Sequence, residues 1–338
     1  MATKNANLHG AKRAKNDEFY TRIQDVEAEL YHYRPHFKDK VVYLNCDDPR
    51  WSAFWRFFCL QFSVLGLKGL IATHYTGVTE PGEPSFMIEA KRGRDDTMPG
   101  GWVDPKTGGV QTPLEGDGDF RSPECVELLK RSDIVVTNPP FSLFREYIGQ
   151  LMEYDKEFVV MANKNSITYK EVWPHIHSGN LWVGATSLNG GRWMILPSDI
   201  EVESDKVKLD SDGNRILNVA GVCWFTNLDH HKRHEELITW KKYSPEEFPH
   251  YDNYDAIEVS QVKHIPADYD GIMGVPITFL DKWNPEQFEF LGASDNGAVP
   301  EDLKLPHFKR HNEPYVDGRK VYKRLFIRPI KSQPTEEL

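Results

Sequence analysis

The chain has 338 residues, 39% of them hydrophobic and 27% charged, so it can bury a sizeable core as one large domain or two modest ones. It shows no apolar run that could cross a bilayer, no apolar leader near Met1 and no CxxC pair among its four cysteines, which predicts a cytoplasmic protein without a zinc site or a disulfide framework. Its net charge of −10 argues mildly against a polyanionic partner, although binding depends on where the charge lies.

The N-terminal sixteen residues predict a flexible basic arm. Residues 1–16 contain four cations and no acidic residue. Segment 25–30, which alternates acids with apolar residues, predicts a helix after this arm. A basic terminus on an acidic protein suits a nucleic-acid binder that neutralises phosphates locally, and it equally suits a solvated tail.

The body of the chain alternates predicted strands with predicted helices. The strands are apolar runs bounded by charge, at residues 40–46, 67–75, 133–138 and 157–163. Segments of helical spacing fall between them, at residues 50–62, 124–132 and 143–154. This alternation predicts an α/β fold with a mostly parallel sheet. The stretch 78–116, rich in Gly, Pro and charge, predicts a long excursion.

The tetrad NPPF follows the third of these strands, at the sheet edge where α/β proteins bind ligands. Pro139 and Pro140 fix two φ angles and hold Asn138 extended. The side-chain carbonyl of Asn138 and the backbone carbonyl of Pro139 can then form a rigid pair of acceptors for a planar –NH2 group, whose lone pair becomes available as a nucleophile. Phe141 offers a face on which a planar ring can stack. The tetrad therefore predicts a grip on an amino group attached to a flat ring, although the same four residues also suit a plain turn.

A tetrad of this kind after a strand is the catalytic motif of amino-group methyltransferases that use S-adenosylmethionine. The longer sequence around it, and further motifs in the same order between about Asp17 and Asn296, resemble the EcoRI-type adenine-N6 DNA methyltransferases. The motifs that carry the resemblance are DEFYT, KVVYLNCDDPR, GDGDFRS, SDIVVTNPPFSLF, NSITYKEV and MGVPITFL.

The resemblance implies a doubly wound, mostly parallel S-adenosylmethionine-dependent methyltransferase sheet with a smaller C-terminal target-recognition region. We place the basic arm at 1–16, the cofactor-binding catalytic domain at 17–181 and the target-recognition and DNA-binding region, where the periodicity weakens, at 182–338. The resemblance also implies methyl transfer to an adenine that is flipped out of double-stranded DNA. In that reaction Asn138 and Pro139 position the amino group and Phe141 stacks on the base.

The resemblance further implies a set of cofactor contacts. The segment before the first strand closes over the methionine end of the cofactor. The acidic loop after that strand takes the place of the usual Gly-rich loop. The loop at 116–122 accepts a hydrogen bond from the amino group of the cofactor's adenine. The implied residues are Phe19, Tyr20 and Thr21; Asn45, Asp47, Asp48 and Pro49; Asp119 and Phe120; and Asn138. Asp117 is an alternative to Asp119. Taken alone, the first segment predicts a helix start and the last a Gly-Asp turn.

The second predicted strand lacks the acid that is expected to bind the ribose hydroxyls. It ends in ATHYTG, and the next acid along the chain is Glu80. This departure leaves the ribose contact unassigned, with His74 and Tyr75 at the right position.

Three further features bear on the target. Trp193, after a Gly-rich stretch, is the candidate for a second aromatic beside the flipped base, with a buried core Trp as the alternative. The cluster His230, His231 and His234 lacks the spacing of a metal site. It predicts a polar surface or a phosphate contact, and a metal site is the least favoured interpretation. Basic residues interleaved with aromatics near the C-terminus predict phosphate contacts. The candidates there are Lys320, Lys323 and Arg324.

Rival functions stay open at this point. An RNA or protein-glutamine methyltransferase could use the same tetrad, because each of its substrates presents a conjugated –NH2 group. A catalytically silent DNA-binding module is a second rival, motivated by the missing glycine loop. The resemblance suggests the modification half of a restriction-modification system with a GAATTC-like site, acting as a monomer beside a cognate endonuclease.

Overall fold

The computed structural model describes residues 19–76, 84–93, 101–196, 206–294, 299–306 and 313–330. The predicted basic arm, the first two residues of DEFYT and Glu80 lie outside these ranges. The chain divides into two compact units. The first combines Met1–Asn163 with Gly184–Leu228, and the second combines Lys164–Val183 with Asp229–Leu338.

The described residues form five α-helices, several 3₁₀ helices and seventeen strands. The α-helices are α1 (Ile23–Leu30), α2 (Ala53–Gln61), α3 (Pro123–Arg131), α4 (Phe144–Glu153) and α5 (Trp173–His177). The 3₁₀ helices are Tyr31–Phe37, Phe141–Leu143, Lys164–Thr168, His231–His234, Val262–His264, Ile277–Lys282 and Glu301–Leu303. The strands are β1 (Val41–Leu44), β2 (Gly69–His74), β3 (Phe86–Lys91), β4 (Val110–Pro113), β5 (Ile134–Thr137), β6 (Glu157–Asn163), β7 (Trp182–Val183), β8 (Arg192–Ile195), β9 (Lys208–Leu209), β10 (Arg215–Val219), β11 (Val222–Thr226), β12 (Ile257–Glu258), β13 (Met273–Pro276), β14 (Phe288–Ala293), β15 (Tyr315–Val316), β16 (Arg319–Lys320) and β17 (Arg324–Pro329).

The main sheet of the first unit has a parallel centre and antiparallel edges. Its strands in this unit run in the order β4-β3-β2-β1-β5-β6-β11. The β1–β2, β1–β5 and β5–β6 pairs are parallel, and the β2–β3, β3–β4 and β6–β11 pairs are antiparallel. The predicted α/β fold is thereby confirmed, but the sheet is mixed and not mostly parallel, because three of these six pairs are antiparallel.

The predicted strands and helices form because their residues are buried on the faces that the sequence patterns mark. Every residue of β2 and β5 is buried, as expected for central strands covered on both faces. Helix α2 begins at an N-cap, Ser52, whose hydroxyl accepts from the backbone N–H groups of Phe54 and Trp55. The aromatic side chains of α2 then pack into the core of the first unit.

Two features of the sheet differ from the sequence prediction. The excursion at 78–116 contributes β3 and β4, which add an antiparallel edge to β2. The first unit also takes β11 from beyond the predicted boundary at 181/182, because its five buried residues pair with β6. The packing units therefore do not follow that boundary, and the functional roles assigned to 17–181 and 182–338 stay predictions.

A small second sheet in the first unit has the order β8-β10-β9. Its strand β8 also pairs with the segment before α1. The backbone N–H of Tyr20 donates to the Ile195 carbonyl at 3.0 Å, and the N–H of Ile195 donates back to Tyr20 at 2.8 Å. This bridge fixes the first described residues of the chain against the sheet.

The second unit has its own sheet and core. The sheet order is β12-β13-β17-β14, and Tyr254 and Phe326 are among the fully buried residues of its core. Within the described ranges, no helix has both the length and the apolar composition needed to cross a membrane.

Candidate active site

The tetrad holds a buried acceptor that has no partner. The side-chain N–H of Asn138 donates to the Phe19 carbonyl at 2.8 Å, which fixes the direction of the amide, since the opposite orientation would place two acceptors against each other. The other end of the amide, Oδ1, is buried and accepts no hydrogen bond from any described residue. A buried carbonyl of this kind costs free energy unless a donor reaches it. Asn138 is therefore arranged to receive a donor that the described part of the chain does not supply.

The remaining tetrad residues connect this acceptor to a helix. Pro139 is buried and Pro140 is partly buried. Phe141 starts the 3₁₀ helix Phe141–Leu143, is half-buried and packs against the core of the first unit. Its exposed part is available for a planar ligand.

The predicted segment Phe19–Thr21 lies beside the tetrad, and each of its residues binds a different element. Phe19 accepts from Asn138, Tyr20 pairs with β8, and the Thr21 hydroxyl lies 3.3 Å from the sulfur of Met161 in β6. The Tyr20 ring also contacts the Trp51 ring at a centroid distance of 3.9 Å. The segment therefore lies beside the tetrad, and its role toward a cofactor stays a prediction.

The loop after β1 places its polar residues in separate environments. The side-chain oxygen of Asn45, Oδ1, accepts from the hydroxyl of Tyr147 at 2.6 Å, and the Asp47 carboxylate accepts from the Ser52 hydroxyl at 3.1 Å. Asp48 accepts from Arg50 and lies beside His74, and Pro49 is buried.

A cavity of about 640 Å³ opens beside this loop. Asp47, Thr21 and Ser52 line it together with arginines and with residues of the β9–β10 hairpin. A carboxylate and two hydroxyls at one side of a cavity can bind an ammonium group.

The loop at 116–121 approaches the end of β2 through its backbone. The Thr76 N–H donates to the Asp117 carbonyl at 3.0 Å. Gly118 has φ +82°, and a Cβ there would lie 2.3 Å from the His74 carbonyl oxygen, so only glycine permits this approach.

The two acids of this loop differ in burial. Asp117 is exposed, whereas Asp119 is partly buried and pairs with Arg121 at 2.7 Å. Hydrogen bonding to Arg121 lowers the pKa of Asp119, so its carboxylate is ionised and can accept from an amino group. Phe120 is 5% exposed and packs edge-on against Tyr147 at a centroid distance of 5.0 Å.

These residues fit S-adenosylmethionine. Asp47 offers a carboxylate for the α-ammonium group, Asp119 an acceptor for the adenine amino group, and the 116–121 loop is held where a doubly wound sheet binds its ligands. The donor set supports the predicted contacts without testing them individually.

Tyr147 is a central residue that the sequence reasoning missed. It lies on α4, donates to Asn45 after β1 and packs against Phe120 of the 116–121 loop. One buried side chain thus connects the helix after the tetrad to two predicted cofactor loops. Its place on the buried face of the predicted helix 143–154 was the only available signal.

Trp193 lies on β8, two residues from the bridge to Tyr20. The side chain is partly buried, and the ammonium of Lys208 lies 4.9 Å from the centre of its ring. The tryptophan is therefore not the fully buried core residue of the alternative prediction, and its role beside a base stays a prediction.

The three basic candidates near the C-terminus have different environments. Lys320 is exposed and pairs with Glu313, and the Lys323 ammonium donates to the Thr168 hydroxyl at 2.9 Å. Arg324 is 7% exposed, and its guanidinium donates to both oxygens of Glu258. The expectation of a phosphate contact is wrong for Arg324, because its charge is buried and already paired. Four further residues of this basic and aromatic stretch, Phe308, Lys309, Arg310 and Lys331, lie outside the described residues.

The histidine cluster consists of residues with protein partners. His230 Nε2 lies 3.0 Å from the Val183 carbonyl, and His234 Nε2 lies 2.9 Å from Asp229. No group of three or more His, Cys, Asp or Glu residues that could hold a metal occurs within the described ranges.

Comparisons with known proteins agree on one family. A family model described as "Adenine-specific methyltransferase EcoRI" matches residues 7–330. The type II methyltransferase M.EcoRI of Escherichia coli is 47% identical over 314 residues, covering 89% of this chain and 94% of the relative. M.MpnI of Mycoplasma pneumoniae is 37% identical and M.MgeORF184P of Mycoplasma genitalium is 34% identical, each over 326 residues; they cover 94% of this chain and 96% and 97% of the respective relatives. No solved structure shows a significant match.

We predict that Tyr147→Phe weakens binding of S-adenosylhomocysteine about five- to tenfold. The substitution removes the hydroxyl donor from Asn45 Oδ1, which among the described residues keeps only the thiol of Cys46 at 3.6 Å, while the ring that packs on Phe120 is kept. A net hydrogen bond is worth about 0.5–1.5 kcal/mol, which is up to about tenfold in affinity. Isothermal titration calorimetry measures the affinity. Tyr154→Phe, at the end of the same helix, is the matched control and should bind as the wild type does. Unchanged affinity of Tyr147→Phe would show that the two loops do not depend on this hydroxyl.

Proposed function

The chain belongs to the family of adenine-specific EcoRI methyltransferases, and we propose that its tetrad methylates the N6 amino group of an adenine extruded from duplex DNA. The predicted family and enzyme class, an adenine-specific DNA methyltransferase of the type found in restriction-modification systems, are confirmed. The residue roles that follow belong to the proposal.

The observation that carries these roles is the unpartnered, buried carbonyl of Asn138. An exocyclic amino group has two hydrogens to donate, and in this proposal one goes to Asn138 Oδ1 and the other to the Pro139 carbonyl. Holding both hydrogens directs the nitrogen lone pair away from the acceptors. Because Phe19 fixes the amide, the acceptor needs no reorganisation when the substrate arrives.

The cofactor in this proposal is S-adenosylmethionine, whose sulfonium supplies the methyl group to the amino nitrogen. Asp47 holds the α-ammonium end, in the cavity that it shares with Thr21. Asp119, kept ionised by Arg121, accepts from the amino group of the cofactor's adenine ring. Phe120 is the next residue of the same loop. Phe19, Tyr20 and Asn45 shape the same region through the contacts described above, and Pro49 is buried in the loop beside them.

Base extrusion follows from where the reactive nitrogen lies. The N6 group of adenine is inside the duplex stack, whereas the acceptor atom Asn138 Oδ1 is buried in the protein. Phe141 is half-buried with an exposed part, which suits stacking on an extruded base. Trp193 is our candidate for the opposite face.

Contacts with the DNA backbone are assigned to Lys320 and Lys323. Both lie in the basic stretch of the second unit, and Lys320 is exposed. A GAATTC-like recognition site, a cognate endonuclease, action as a monomer and a cytoplasmic location remain predictions. The rival substrates, RNA and protein glutamine, are separated from DNA by offering each with a tritiated methyl donor.

We expect Asn138→Ala to lower single-turnover methyl transfer by about 10²–10³, the usual effect of removing one positioned polar group. Affinity for S-adenosylhomocysteine should stay within a few-fold. Asn138→Asp keeps an acceptor but loses the donor to Phe19, so it should retain more activity than the alanine variant. If both variants lose activity equally, the anchor to Phe19 matters and the acceptor does not.

Binding of duplex DNA should open the stack at the target adenine. With 2-aminopurine at that position, emission should rise on binding, and it should not rise when the probe is one base away. Phe141→Ala should reduce transfer more than it reduces DNA affinity, because stacking worth roughly 1–3 kcal/mol is felt only by the extruded base. Wild-type enzyme that methylates without any emission change would contradict extrusion into this site.

DNA affinity should fall steeply with salt, although the protein is acidic. Lys320→Glu and Lys323→Glu should each flatten the plot of log affinity against log salt by about one unit. Lys282→Glu is the control, because Lys282 is exposed in the same unit and its reversal changes the net charge equally. Equal slopes for all three variants would place the phosphate contacts elsewhere.

A further inference from the structure

The carboxyl end of β2 lacks a residue that its position calls for. In doubly wound sheets an Asp or Glu near this point accepts hydrogen bonds from the hydroxyls of a bound ribose. Strand β2 ends at His74, and Tyr75 and Thr76 follow. None of the three is a carboxylate.

The loop after β1 brings a carboxylate to this place. Asp48 Oδ2 lies 3.2 Å from Nδ1 of His74, and the two side chains are 9% and 2% exposed. The 116–121 loop reaches the same point, because Gly118 packs against the His74 carbonyl. Asp48 therefore lies where three loops of the ligand-binding edge meet, next to the residue that ends β2.

The neighbouring Asp47 faces a different place. Its carboxylate accepts from Ser52 at the start of α2 and lines the cavity with Thr21. Two adjacent carboxylates thus diverge, one toward that cavity and the other toward β2. They are suited to two different parts of one extended ligand.

Arg50, which binds Asp48, donates hydrogen bonds in the pattern expected of a ribose diol. Arg50 places Nε 3.1 Å from Asp48 Oδ1 and 2.8 Å from Oδ2, and it places Nη2 2.6 Å from Oδ2. Two parallel N–H donors on a carboxylate present the same pattern as the two O–H donors of a vicinal diol. The Arg50 side chain is 40% exposed, and its Nη2 also lies 3.3 Å from His74 Nε2. The guanidinium can move into solvent while the backbone N–H of Arg50, 2.9 Å from Oδ1, and the contact with His74 keep Asp48 in place.

We propose that Asp48 is the ribose-binding acid of this enzyme and accepts hydrogen bonds from the vicinal hydroxyls of the cofactor after they displace Arg50. Asp47 is left to the α-ammonium group. This assignment rests on the proposed function, since it takes S-adenosylmethionine as the cofactor.

The test compares ribose-modified ligands by isothermal titration calorimetry. The probes are S-adenosylhomocysteine and its 2′-deoxy and 3′-deoxy analogues. The wild type should bind the deoxy analogues about 10–100-fold more weakly, as expected for loss of a hydrogen bond to a charged group. Asp48→Asn should reduce this discrimination to less than about threefold.

Asp47→Asn is the matched control at the adjacent position. It should weaken S-adenosylhomocysteine binding yet keep the full discrimination against the deoxy analogues. Binding of 5′-methylthioadenosine, which has the ribose and no amino acid, should be the same for Asp47→Asn and the wild type. Thermal unfolding of each variant verifies that it is folded.

Arg50→Met tests the displacement without altering Asp48. Removing the competing guanidinium should tighten binding of S-adenosylhomocysteine severalfold and leave the affinity for the deoxy analogues less changed. The assignment would be overturned if Arg50→Met bound S-adenosylhomocysteine and its deoxy analogues equally well. It would also be overturned if Asp48→Asn bound the deoxy analogues as weakly, relative to S-adenosylhomocysteine, as the wild type does. A wild type that binds no S-adenosylhomocysteine at all would instead remove the proposed function and, with it, this inference.

Discussion

The hydrogen bond from Asn138 to the Phe19 carbonyl is the interaction on which the proposed active site depends. It joins residues 119 positions apart and fixes which end of the amide faces the site. The bond holds only if Phe19 stays in place, and the bridge between Tyr20 and β8 provides that. The small β8-β10-β9 sheet therefore supports the proposed acceptor, Asn138, without belonging to the main sheet.

The sequence predicted secondary structure best where the burial of a strand or helix shows directly in its own residues. Strands β1, β2, β5 and β6 were predicted because a strand covered on both faces is apolar along its whole length. The pairing of β11 with β6 was not predicted, since sheet order depends on residues far apart in the chain. Strand β4 was missed because it is exposed throughout and carries no apolar pattern. Strand β3 was missed although it is mostly apolar, because the Gly-, Pro- and charge-rich stretch around it was interpreted as one excursion.

The candidate site shows the same limit. The tetrad and the two acidic loops were found from short motifs, because their chemistry resides in consecutive residues. Tyr147 was missed, since its bond to Asn45 spans 102 positions. Arg324 was misassigned for a related reason: a run of cations in the sequence does not reveal that Glu258, 66 positions earlier, buries one of them in an ion pair. Breaking such a pair leaves an uncompensated charge, so its role is structural.

The loop after β1 has no glycine, and Ser52 explains how its first acid, Asp47, is held in place. Glycine-rich loops bind ligands through backbone N–H groups, which requires close approach of the main chain. Here the Ser52 hydroxyl accepts from two N–H groups of α2 and donates to Asp47, so the start of the helix fixes the carboxylate. Asp47 is thus held by the side chain of the N-cap residue and not by backbone N–H groups. Under the proposed function this carboxylate suits a cation, such as an α-ammonium group, whereas a glycine loop at a helix N-terminus suits an anion.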